Sequence, residues 1–112
     1  MSSVEIINPS PETLRPVTSH DSVGVSARPL WRSDAISVTT LRVAPGGEIG
    51  SHPASVPQLL LITAGGGQVR AGAGPWFDVT VGDAVRWSAG EFHTTRSASG
   101  LTAVAIEFSA PE

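Results

Sequence analysis

Cysteine, lysine and tyrosine are missing from this 112-residue chain. Each absence removes a chemistry: without Cys there is no disulfide framework, thiolate zinc site or thiolate nucleophile; without Lys no Schiff base; without Tyr no phenol. Charge of one kind is also thin, because all seven basic residues are arginines and none of them cluster. With a net charge of -3, the chain has no basic stripe to follow phosphates, which argues against a nucleic-acid partner. No apolar run approaches the roughly 18 residues of a spanning helix, and Met1 to Ser10 carries neither a basic nor a long apolar segment. A soluble, cytoplasmic protein with no membrane partner is expected.

The hydrophobic fraction of 40% and charged fraction of 15% describe a globular chain, and its length suits a single core. Twelve glycines and nine prolines interrupt it at short intervals, which favours many short strands over long helices. For proton transfer or metal binding there remain His20, His52, His93 and ten carboxylates.

Residues 1–22 read as an N-terminal arm and residues 23–112 as the β-domain. In the arm, Val4-Glu5-Ile6-Ile7 could form a short strand on its own sheet or on a partner subunit, and Asn8-Pro9-Ser10-Pro11 stops it. His20, in Thr18-Ser19-His20-Asp21, reads as a solvated loop histidine. Beyond it, Val23 to Ala27 and Leu30 to Arg32 are strand-like around Pro29, and Ala35 to Val43 alternates. Ile36, Val38, Thr40 and Arg42 fall on one face, with Ser37, Thr39, Leu41 and Val43 on the other. Ala44-Pro45-Gly46-Gly47 is expected to end that strand. Leu59 to Thr63 reads as a strand covered on both faces, and Ala64-Gly65-Gly66-Gly67 as a hairpin turn. Strands follow at Gln68–Ala71, Trp76–Val81, Ala84–Trp87, Phe92–Arg96 and Leu101–Phe108. About eight to ten such strands, spaced near ten residues, predict an all-β sandwich or small barrel. Trp76, Phe77, Trp87 and Phe92 are expected to fill the core or a pocket wall.

Two segments carry a more specific message. Gly46 is followed by five residues, then His52-Pro53-Ala54, three residues, Gln58, six residues and Gly65. Gly82 is followed by five residues, then Ser88-Ala89-Gly90, two residues, His93, three residues and Ser97. These spacings resemble the paired motifs of the cupin superfamily, which implies a single-domain jelly-roll barrel of short antiparallel strands with a small-molecule pocket. In metal-binding cupins the first motif supplies two histidines and a glutamate, and the second a histidine. Carried over, the resemblance leaves His52, Gln58 and His93 as candidate ligands for a divalent ion such as Zn, Ni, Mn or Fe, with Ala54 in place of the second histidine. Some relatives of polyketide-cyclase type also use Gln at the carboxylate position.

The function implied is a cupin acting on a small molecule, as a metal-dependent oxygenase, isomerase or cyclase. In the alternative, His52 and His93 line a metal-free pocket, as general bases or as contacts in a non-catalytic metabolite sensor. Arg42 and Glu107, on otherwise apolar strands, are further candidates for the barrel interior or for the solvent face. Arg86 and Arg96 flank the second motif and invite an anion site, or simply a solvated face. Glu91 beside His93 could polarise an imidazole or serve its turn. A homodimer, pairing sheets or exchanging Val4–Ile7, is the expected assembly.

Overall fold

Two long strands organise the molecule, a computed structural model that describes residues 4–109. In chain order the strands are β1 (Arg15–Val17), β2 (Val23–Arg32), β3 (Ile36–Pro53), β4 (Gln58–Ala71), β5 (Phe77–Thr80), β6 (Ala84–Trp87), β7 (Phe92–Ser97) and β8 (Leu101–Phe108). All pairings are antiparallel. The first half of β3 pairs β8 from Ile36↔Phe108 to Val43↔Leu101, and its second half pairs β7 from Gly47↔Ser97 to Pro53↔Phe92. Strand β4 repeats the pattern, lying on β8 from Gln58↔Glu107 to Gly65↔Leu101 and on β7 from Gln68↔Arg96 to Ala71↔His93. The circuit β3–β8–β4–β7 therefore closes on itself, which removes the exposed edges of an open sheet. Strands β2 and β1 extend it beside β3, while β5 and β6 flank β4.

The fold class agrees with the sequence reading, but two element boundaries differ. Neither the glycines at 46–47 nor those at 65–67 terminate a strand; β3 and β4 run through them and change partner there. The reason is visible at Gly65. Its φ is +69°, which side chains rarely adopt, and any Cβ would drive into the carbonyl oxygen of Gly100. A register shift between Ile62 and Ala64 accompanies the bend. What looks like hairpin chemistry is a barrel corner.

Within the segment read as an arm, Arg15–Val17 joins the sheet as β1, pairing Arg15↔Ala27 and Val17↔Val25. Val4 and Ile6 stay exposed. Phe77 and Phe92, expected in the core or a pocket wall, are exposed: His93 takes the inward position next to Phe92, and Phe77, on the same face as buried Val79, lies at the end of its strand beyond the covered part. Trp76 packs instead against the guanidinium groups of Arg96 and Arg70, at 3.7 and 4.5 Å from its ring centre.

Alternation places the core on the second face read for residues 36–43, with Val43 fully buried beside Ile62, Leu101 and Ala103. Along the same face of β8 the side chains pass from Leu101 through Ala103 and Ala105 to Glu107. Bulk thus fills the barrel at one end and small residues leave it open at the other. That gradient positions the pocket.

Replacing Gly65 with Ala imposes both a left-handed backbone and a steric clash, so a loss of about 2–5 kcal/mol in urea unfolding is expected. A loss under about 0.5 kcal/mol, the range of an ordinary surface substitution, would show that the corner does not need glycine.

Candidate functional site

His52 and His93 face each other because β3 and β7 pair them directly, Cα against Cα. Their rings meet edge to face with centroids 4.3 Å apart. The indole of Trp87, buried at the end of β6, stacks on the other side of His93 at 4.7 Å. Gln58 is brought alongside by its register with both Trp87 on β6 and Glu107 on β8. These side chains line one cavity of about 270 Å³, walled by aliphatic residues such as Leu41, Ile49 and Leu60. At about 30 Å³ per liquid water, it holds about nine waters or one small organic molecule.

The hydrogen bonds of the two imidazoles define what they offer. Nδ1 of His52 lies 2.7 Å from the carbonyl oxygen of Gly50, and Nδ1 of His93 lies 3.3 Å from that of Glu91. A carbonyl can only accept, so in each contact Nδ1 carries the proton and donates it. In the neutral form of either ring, Nε2 is then left with its lone pair. Burial pushes the pKa of His93 below the ordinary histidine value of 6.5; the positive charges that His52 and His20 can carry push the same way, and the Glu91 carbonyl and carboxylate oppose them. His93 is accordingly a neutral base near pH 7.

Of the candidates read from the sequence, His52, Gln58, His93 and Glu107 converge on this cavity. Arg42 does not. It is exposed on the opposite face of β3 and borders a separate cavity with Pro9, Pro11 and Leu14, where the N-terminal segment lies over the outside of the barrel. Arg96 is engaged elsewhere, its Nε donating to Gln68 Oε1 at 2.9 Å. Glu91 serves its turn, its carboxylate accepting from the Ser88 N–H at 3.4 Å. One site residue carried no sequence signal: His20, read as a loop histidine, stacks face to face on His52 with centroids 4.6 Å apart and lines the same cavity.

The donor set falls short of a metal centre. Among the described residues no three His, Cys, Asp or Glu side chains are arranged to hold an ion. Ala54, at the position of the missing motif histidine, is fully buried in the apolar core, its N–H bonded to the Glu91 carbonyl. Of the motif positions, two imidazoles and the neutral amide of Gln58 remain; the His20 ring and the Glu107 carboxylate line the same cavity from other elements but do not group with them into an ion site. The tilt of the His52 ring is taken up by contacts with His20 on one side and His93 on the other.

No protein-family model matches the sequence, and no curated protein does. Solved structures do match. The polyketide cyclase RemF from Streptomyces resistomycificus superposes with a TM-score of 0.79 at 16% identity, over 94% of this chain and 81% of that one. A cupin-2 domain protein from Rhodospirillum rubrum gives 0.77 at 16% identity, over 100% and 80%. KdgF from a Halomonas species gives 0.75 at 12% identity, over 88% of each chain. The chain has the cupin fold. Among the described residues no helix is long and apolar enough to cross a membrane.

His93 also sets a pH dependence. The folded state binds its proton less readily than the unfolded chain does, so its contribution to stability is complete above the ordinary histidine value and is lost as pH falls through the lowered folded-state value. Between about pH 7 and about pH 5, where histidines titrate, the urea midpoint of the parent should fall more steeply than that of a His93→Gln variant. Equal slopes would contradict the burial argument.

Proposed function

We propose that this protein is a small-molecule cupin whose barrel pocket works by imidazole acid–base chemistry of the isomerase or cyclase kind. The observation that carries the reading is the His52–His93 pair, each ring holding its proton at Nδ1 against a backbone carbonyl. A neutral imidazole so oriented presents Nε2 as the base, and burial keeps His93 neutral at working pH. Nε2 of one ring takes a proton from an enolisable carbon or a hydroxyl of the substrate. The same proton returns from that Nε2 to a different atom of the same molecule, so no oxidant and no leaving group is needed. Gln58 and Glu107 hold the substrate's polar edge, while Leu41, Ile49 and Leu60 exclude water from its apolar side. The fold shared with a polyketide cyclase is consistent with this chemistry.

A metabolite-binding protein without turnover would use the same contacts, and the two readings separate on rate. With an enolisable substrate, His93→Ala should lower kcat by about 10²–10⁴-fold while the fold persists by circular dichroism. Binding without turnover would favour the sensor.

Elemental analysis decides the metal. Well under one equivalent per chain is expected in both the parent and a His52→Ala, His93→Ala double variant. A near-stoichiometric divalent ion in the parent that vanishes in the variant would replace this reading with a metal centre on His52, Gln58 and His93.

The assembly we propose is a homodimer in the cytoplasm, with exposed Val4 and Ile6 reaching a second copy. Sedimentation should give twice the chain mass; a monomer at high micromolar concentration would count against it.

A further inference from the structure

The N-terminal turn makes an unusual effort to reach the pocket. His20 and Asp21 are consecutive non-glycine residues with positive φ, 57° and 58°. Such a pair is uncommon even for residue types that tolerate the left-handed region, and persists where the surroundings hold it. Two contacts hold it here. The N–H of Gly50 donates to Ser22 Oγ at 3.1 Å, and the His20 carbonyl packs so closely on Gly50 that any Cβ at that position would collide with it. Strand β3 therefore gives up a side chain two residues before His52, at the residue whose carbonyl fixes the His52 ring, and the space admits the turn that lays His20 over that ring.

The lining of the completed cavity has a chemical bias. Its polar groups include three imidazoles, the carboxylate of Glu107, the amide of Gln58 and the hydroxyls of two serines and two threonines; among the described residues no arginine lines it, in a chain that has no lysine. Nε2 of His52 and of His93 is an acceptor, as are both oxygens of Glu107. An anionic ligand would meet neutral donors but also the Glu107 carboxylate, with no fixed cation to offset the two charges, whereas a neutral molecule bearing hydroxyls would find acceptors for its protons at the imidazoles and Glu107.

We infer that the N-terminal turn is part of the site, and that His20 joins His52, His93 and Glu107 in a pocket without a fixed cation for a neutral, hydroxyl-bearing small molecule of phenol or enol type, closed to carboxylates and phosphates. The inference rests on the small-molecule reading above and deepens it by naming the ligand class and a residue that selects it. His20 acts as the mouth of the pocket, its ring accepting or donating to the ligand's outer edge and holding His52 in place.

The test uses the full chain and two matched probes, catechol as the neutral dihydroxyl and benzoate as its anionic counterpart. Ring resonances of the three histidines are followed by carbon–proton NMR during each titration. Saturable shifts at His20, His52 and His93 with catechol and none with benzoate are expected. His20→Asn, which tolerates the left-handed backbone, and His20→Ala should each weaken catechol by about 3- to 10-fold, the worth of one hydrogen bond, with circular dichroism unchanged. If catechol shifts His52 and His93 but both His20 variants bind as well as the parent, the role of His20 is wrong while the pocket stands. Benzoate binding as tightly as catechol would overturn the ligand class. If neither probe moves any of the three rings, the small-molecule reading falls with the inference.

Discussion

Everything on the inner face depends on β3 and β4 being shared between two halves of the barrel. Each strand pairs β8 over one half of its length and β7 over the other, so a single register error would propagate around the closed circuit. Register is what places His52 opposite His93 and Gln58 between Trp87 and Glu107. The partner change needs a bend in each long strand, and glycine provides it in both. Ser97 helps to lock the β4 corner, donating to the Gly66 carbonyl and accepting from the Gly100 N–H at 2.6 and 2.8 Å.

The same geometry explains why the pocket is polar in a barrel that is otherwise aliphatic. Val43, Ile62 and Leu101 close one end, each worth about 1.5–3 kcal/mol of burial. At the other end Ala105 leaves room, and the imidazoles satisfy themselves on backbone carbonyls and so tolerate burial. The lowered pKa of His93 follows from that burial, so one arrangement yields both a stable core and a neutral base.

Much of this was legible in the sequence. The motif spacings brought out His52, Gln58 and His93, and alternation divided residues 36–43 into the two faces seen in β3 without saying which was the inner one. Glu107 could be seen as a candidate because it interrupts an apolar strand. The failures share a cause: local signals carry no information about what packs from a distance. Gly65 to Gly67 have hairpin composition, and only the approach of Gly100 turns them into a corner. Arg42 and Glu107 looked equivalent, yet Ser37 and not Arg42 pairs with Glu107, which puts Arg42 on the outer face. His20 lies far from either motif, and its role rests on the missing side chain at Gly50, a long-range steric relation that spacing does not encode.

The claim on which the account turns is the protonation geometry of the imidazole pair. Long-range proton–nitrogen correlation of the imidazole rings near pH 7 reads it directly. His93 should be neutral with the proton on Nδ1 and an unprotonated Nε2, and the neutral form of His52 should show the same tautomer. The opposite neutral tautomer, with the proton on Nε2, at either ring, or an imidazolium at His93, would contradict the account, because the base that the pocket is said to present would then not exist.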